Sequence, residues 1–281
     1  MANVLEAICN ISELQIHTVD DIKFSRNRAT SVGDGLEKFV KDAFSNSFNS
    51  DDVTKMANYA QVFSYQGNSK TLPDFMLRQG AAVEVKKTES RTADLQLNSS
   101  HPKRKLNINS TLINAHCRNA EQWEEKDFLY VVGNVLQSKL STLWIVDGCL
   151  YAADEEVYLN IKSELTEKLK ELEDVNFSPT NEIGRINSVD PLGITNLRVR
   201  GMWILQSPMR VFRYINAFDS NSEFQCISIL STTMYNSIAE NSRHRIEGKE
   251  DITIEDVLIY DPNNPSNTIP SKLIKYSKNL V

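Results

Sequence analysis

The chain lacks most of the features that would settle its class at a glance. No apolar run approaches the ~20 residues that a membrane-spanning helix needs, and the N-terminal residues show no leader pattern. The four cysteines, Cys9, Cys117, Cys149 and Cys226, are scattered without C-x-x-C spacing, which argues against a disulfide scaffold and suits reduced thiols. His17, His101, His116 and His244 show no zinc-like pairing with them. Internal repeats and low-complexity tracts are missing as well. So is a basic excess: 31 Lys and Arg against 37 Asp and Glu leave a net charge of −6, which argues against non-specific coating of nucleic acid. What remains is a folded globular chain of 281 residues, expected in a cytoplasm and long enough for a sizeable core.

What is present is organised around Leu72–Thr88, LPDFMLRQGAAVEVKKT. Val83, Glu84, Val85 and Lys86 alternate apolar and charged, so Glu84 and Lys86 leave the same face of a strand and Lys87 the other. Arg78-Gln79-Gly80 predicts a three-residue turn with the glycine in the left-handed conformation. A hairpin centred there sets Asp74 roughly opposite Glu84, just after Pro73, which suits a strand start. Two carboxylates and one ammonium thus meet in one polar cluster. Crowded carboxylates repel, and a hard cation such as Mg2+ relieves this by accepting their oxygens. Lys86 would then add fixed positive charge where a phosphodiester is attacked. The plainer alternative is an exposed hairpin with a Glu–Lys surface pair of little energetic consequence.

Upstream, Val4, Leu5, Ile8, Ile11 and Leu14 recur at helical spacing. A polar loop over 25–30 leads to a second helix from about Val32 to Phe44. Glu37 lies at the edge of that helix's apolar stripe, and its spacing favours an i,i+4 pair with Lys41. Asn58 to Gly67 is expected to be a strand. Downstream, LNSSHPKRKL offers Asn98, Ser99 and Ser100 to base edges or phosphates and Lys103, Arg104 and Lys105 to phosphates; Arg118 follows. Phe128–Leu136 and Thr142–Val146 predict central strands covered on both faces, and Asp147-Gly148 predicts a hairpin turn. Glu155–Leu172 predicts a helix with Val157, Ile161, Leu165, Leu169 and Leu172 inside and its acids on a solvated outer face.

Charge is unevenly spread. Leu150–Val175 carries eight acids against three lysines, and Arg185–Arg213 carries five arginines against Asp190 alone. Asn176–Asn196 is expected to be a long loop and a soft boundary between a core (1–175) and a C-terminal part (176–281) that completes the same domain and adds DNA contacts. In the strand expected next, Arg198 and Arg200 share one face and can follow a phosphate backbone or reach guanine. Thr232–Asn241 reads as one helix. The last twenty residues, with Pro262, Pro265 and Pro270, are expected to wrap the surface.

With these residues laid out, the chain resembles the PD-(D/E)XK nuclease superfamily, and within it the type II restriction endonucleases of the NgoPII-like family. The resemblance rests on Pro73–Lys87, on the helix GDGLEKFVKDAF (Gly33–Phe44), on Leu97–Leu106, on Cys117–Gly133 and on LRVRGMW (Leu197–Trp203). It implies an α/β fold, a central mixed β-sheet flanked by helices with C-terminal strand-and-helix additions. It also implies Asp74 and Glu84 as metal-binding carboxylates, Lys86 as the catalytic lysine and Glu37 as an added metal-site glutamate. The function implied is Mg2+-dependent cleavage of double-stranded DNA at a short GC-rich palindrome such as GGCC, leaving 5′-phosphates. A palindrome is matched most simply by a homodimer, and a cognate DNA methyltransferase is expected as a genetic partner.

Overall fold

Strands that are apolar on both faces need cover on both faces, and the computed structural model supplies it. The structure describes residues 1–14, 28–68, 71–172, 176–178, 180 and 183–278; of the polar loop expected over 25–30, residues 25–27 lie outside the described residues. α1 (Val4–Ser12), α2 (Arg28–Ser45) and α3 (Asp52–Val62) precede β1 (Phe63–Asn68), β2 (Thr71–Leu77), β3 (Ala82–Thr88), β4 (Leu95–Asn98) and β5 (Lys105–Asn107). Then come α4 (Ala115–Arg118), β6 (Glu125–Leu136), β7 (Lys139–Asp147) and α5 (Glu155–Lys170). Three short strands, β8 (Asn176–Ser178), β9 (Gly184–Asn187) and β10 (Leu197–Val199), are followed by β11 (Trp203–Leu205) and α6 (Pro208–Val211). The chain closes with β12 (Phe224–Ser231), α7 (Thr232–Ser237), α8 (Glu240–Glu247), β13 (Ile252–Asp261) and β14 (Asn264–Lys278).

The main sheet runs β1-β2-β3-β6-β7-β12-β14-β13, with β5 also paired to β6. It is mixed: β3 lies parallel to β6 and β7 parallel to β12, while β6 and β7 are antiparallel. Smaller sheets join β10-β9-β8 and β11-β4. On one face α1 and α2 bring Leu5, Ile8, Leu36 and Val40 against Val83 and Val131. On the other, Leu95, Leu106 and Phe212 cover Met76, Tyr130 and Val132. Val131 and Val132 thus point into different cores, as a period of two requires. Each fully buried side chain of this kind stabilises by about 1.5–3 kcal/mol. The architecture is the α/β fold with a flanked mixed sheet that the sequence led us to expect.

Local expectations fare unevenly. The strand expected from Asn58 begins only at Phe63, because Asp51 caps α3 through the N–H groups of Val53 and Thr54, both at 3.0 Å; Tyr59 then anchors the helix by donating to Asp42 at 2.8 Å. Asp147 does not open a hairpin turn; its carboxylate caps a 3₁₀ turn at Cys149 and accepts the Ser231 hydroxyl at 2.6 Å. The stretch read as one long loop holds β8 and β9, and the strand expected from Leu197 breaks after Val199. The helix expected over Thr232–Asn241 divides into α7 and α8. The C-terminal residues do not merely wrap the surface: β14 inserts between β12 and β13. Its prolines are tolerated because β12 pairs only with Ser271–Lys278, leaving the earlier half of β14 bound to β13 alone. Among the described residues no helix is long and apolar enough to cross a membrane.

Candidate active site

In the hairpin of β2 and β3, Phe75 pairs with Val83 and Met76 with Ala82. One step further along brings Asp74 level with Glu84, and there a side chain takes over from the ladder: the Val85 N–H donates to Asp74 Oδ2 at 2.6 Å. The turn is as short as expected, but Gln79, at φ 54°, takes the left-handed position instead of Gly80. Tertiary contacts hold it there. Glu121 accepts the Gln79 N–H at 2.9 Å, and Lys126 donates to the carbonyls of Leu77 and Gly80.

The turn end of β3 is buried through Ala81–Val83, and the strand then emerges into a cleft of about 360 Å³. Asp74, Glu84 and Lys86 line it together. Lys86 Nζ lies 2.5 Å from Glu84 Oε1, and Lys87, on the opposite face, pairs with Glu89 at 2.9 Å. Burial, then the neighbouring Glu84 charge, pushes the Asp74 carboxyl up to about 8. Burial works to lower the Lys86 ammonium, but the charges of Glu84 and Asp74 outweigh it and hold that group above its usual range. This half-buried, mutually charged cluster is unlike an exposed surface pair.

The donor set fits a divalent cation. Glu84 Oε2 is buried with no hydrogen-bond partner, and the half-buried Asp74 carboxyl lines the cleft with it. Among the described residues no three His, Cys, Asp or Glu side chains converge on one point. The two carboxylates match the sparse protein ligation that Mg2+ accepts while keeping several waters. Glu37 stands apart from the pair, with Lys41 Nζ 2.6 Å from its carboxylate. Its charge nevertheless bears on both Asp74 and Lys86.

The opposite wall of the cleft is the segment after β4. Asn98, Ser99, Ser100 and Lys103 line it, as does Arg200, whose guanidinium donates to Ser99 Oγ at 3.4 Å. The other cations named from sequence are placed elsewhere. Lys103 contributes to the wall, but its ammonium is buried, bound to Glu155 and 2.9 Å from His101 Nε2. Arg104 turns to Asp154 and Asp261, and Lys105 pairs with Glu125 at 2.7 Å. Arg118 spends its donors on the carbonyls of Ile108 and Ser110, both at 2.9 Å. Arg198 lies on β10, across from Arg185 on β9.

Three residues of the site escaped sequence reasoning. Tyr130, in register with Glu84 on the parallel neighbour β6, accepts the Lys103 N–H at 2.6 Å and so pins the far wall to the floor. His101 lines the cleft and stacks on Tyr158. Glu155, expected on a solvated face, instead faces inward to His101 and Lys103; these two contacts, His101 foremost, hold its carboxyl down at about 2. Only His101 left a signal, its place directly after Ser100.

Comparison with known proteins bears on the chain as a whole. The profile of the NgoPII restriction endonuclease family matches residues 2–260. The Type II restriction enzyme NgoPII of Neisseria gonorrhoeae is 42% identical over 275 residues, 98% of this chain and 99% of that protein. No solved structure matches the chain.

Proposed function

We infer, for a chain that belongs to the NgoPII restriction endonuclease family, the activity of a type II restriction endonuclease: hydrolysis of phosphodiesters at a specific site in double-stranded DNA. The observation that carries the residue assignment is the meeting of Asp74, Glu84 and Lys86 in one cleft, faced by the polar wall of Asn98, Ser99, Ser100 and Arg200. Asp74 and Glu84 are the pair suited to hold Mg2+, and Glu37 is a third carboxylate that would have to leave Lys41 to join them. Bound there, the cation would neutralise phosphate charge and acidify water. Lys86 stays charged through neutral pH and presents that charge to the scissile phosphate or the attacking water, already oriented by Glu84. The Val85 N–H fixes the Asp74 carboxylate, so little reorganisation accompanies the reaction. Arg200, Asn98, Ser99 and Ser100 hold the duplex against the opposite wall.

The finer reading is a cytoplasmic homodimer with one active site per strand, cutting a short GC-rich palindrome of the GGCC kind and leaving 5′-phosphate and 3′-hydroxyl ends. A DNA methyltransferase of matching specificity would be its genetic partner. The test is digestion of plain plasmid with Mg2+, followed by sequencing of the ends. Discrete fragments with one shared end sequence are expected. Cutting confined to junctions or free ends would point instead to a repair or recombination nuclease, and salt-dependent binding with no Mg2+-dependent cutting to a DNA-binding module.

A further inference from the structure

Helix α5 is mounted with its polar side inward. Glu155, Tyr158, Lys162, Thr166 and Leu169 are its half-buried positions, Leu169 the one aliphatic among them; Thr166 donates to the Ile183 carbonyl at 3.1 Å, and Tyr158 stacks on His101. The apolar stripe at i,i+4 spacing faces out instead, with Val157 50%, Ile161 49% and Leu165 48% exposed. A surface helix ordinarily turns such a stripe to the core. The exposure continues beyond the helix: Ile161 and Leu165 share a hollow of about 180 Å³ with Met202, itself 64% exposed. Of the 18 exposed large hydrophobic side chains among the described residues, 11 fall between Val157 and Ile204. Scattered exposed apolar residues need no explanation, but a concentration of them marks a contact surface.

We propose that this flank, α5 together with the segment from Ile183 to Ile204 apart from Arg200, which belongs to the cleft, is where a second copy of the chain docks, an inference that rests on the two-fold reading of the function given above. Three observations select that occupant. Away from the arginines on its border, the apolar side chains of the patch give a phosphate backbone nothing to pair with, so duplex DNA is a poor fit for its centre. The borders of the patch are oppositely charged: Glu156 and Glu164 are exposed on α5, while Arg185 and Arg198 are exposed side by side on β9 and β10. A two-fold rotation sets the acidic border of one copy against the basic border of the other, as a self-complementary interface requires. The patch also adjoins the cleft, since Ser99 lines both hollows and Glu155, the first residue of α5, binds Lys103 in the cleft wall. The two scissile phosphates of a short palindrome are separated by a few steps of about 3.4 Å along the strand, so two copies that cut one site must meet beside their clefts. A standard interface takes about 800 Å² from each partner, within reach of these 11 exposed large side chains.

The test uses the full chain with Ile161→Glu and Leu165→Glu together, read by sedimentation and by cleavage of a supercoiled plasmid carrying one site. The wild type is expected to sediment as a dimer at micromolar concentration. The variant is expected to dissociate at least 100-fold more readily and to lose double-strand cutting, with an unchanged far-ultraviolet circular dichroism spectrum. A dimeric wild type with an equally dimeric variant overturns the surface and leaves the homodimer standing. A wild type that is monomeric both free and on its duplex overturns the homodimer itself, and this surface with it. Should the double variant fail to fold, Met202→Cys on a Cys149→Ser background, treated with a short bismaleimide, decides the matter: covalent dimer absent from Cys149→Ser alone supports the surface, and its absence from a dimeric protein overturns it.

Discussion

The two walls of the cleft each bury a lysine against a glutamate, and the two ammonium groups respond in opposite ways. On the strand wall, Lys86 has Glu84 and Asp74 beside it and the Glu37 charge behind them, and its affinity for the proton rises. On the loop wall, among the described residues, Lys103 pairs with one carboxylate, Glu155, and otherwise meets a neutral-leaning His101 and the Ser110 hydroxyl. Burial therefore prevails, and its affinity falls. The number of acids within reach decides the sign. An excess of negative charge left unsatisfied by protein groups characterises the strand wall, the condition that invites a cation. The loop wall is internally balanced, so it suits holding shape: Tyr130 and Glu155 pin Lys103 at its main chain and side chain.

If that division of labour is right, Lys86→Ala should show the largest effect. Cleavage should fall about 10²–10³-fold or more while the dissociation constant for cognate DNA moves only a few-fold; full activity in this variant would erase the distinction between the walls. Glu155→Gln should act on stability first, because it strands a Lys103 ammonium that is 3% exposed. The cost expected in urea unfolding is about 2 kcal/mol, below the range for fully buried pairs since the Glu155 side chain is 40% exposed. Adding Lys103→Met should restore part of it, and a double variant worse than the single would argue that Lys103 has a further partner.

The walls should also differ in their pH dependence. Folding raises Asp74 from 3.8 to about 8, so between those values the folded chain keeps a proton that the unfolded chain has released. Stability from this group therefore declines as pH rises through that window. Asp74→Asn should flatten the decline in melts run with EDTA from pH 5 to 8.5; an unchanged slope would place its origin elsewhere. Glu155 behaves oppositely: lowered from 4.5 to about 2, it contributes above its unfolded value and is lost as pH falls between the two. The smallest effect belongs to Lys105→Ala. Its pair with Glu125 is exposed on both sides, and stability should change by less than about 0.5 kcal/mol.

How much of this could be read without coordinates depended on the range of the interaction. The Asp74–Lys86 hairpin was legible because alternation assigns strand faces over a few residues. Lys41 was correctly placed beside Glu37 for the same reason, one helical turn apart. Phe128–Leu136 announced a central strand by composition alone. The basic run at Lys103–Lys105 was not legible in this sense: three adjacent cations looked alike, and the fold sends them to Glu155, to Asp154 and Asp261, and to Glu125. Helix α5 was recognised as a helix, but of the stripe assigned to its inner face Val157, Ile161, Leu165 and Leu172 are exposed and Leu169 is half-buried. Periodicity reports that a stripe exists, whereas what it packs against is set by the rest of the chain.

By itself, then, the sequence determined the family, through its resemblance to known members, and also the pairing of two acids and a lysine across a hairpin and the apolar strands that carry them, which follow from spacing along a regular backbone. Only the tertiary structure decided that Lys103 is bound by Glu155 52 residues away, that Tyr130 ties the far wall to the floor, and that the apolar side of α5 is left outward. Charges and apolar faces take whichever partner the folded path brings within a few ångströms, and that path is a property of the whole chain.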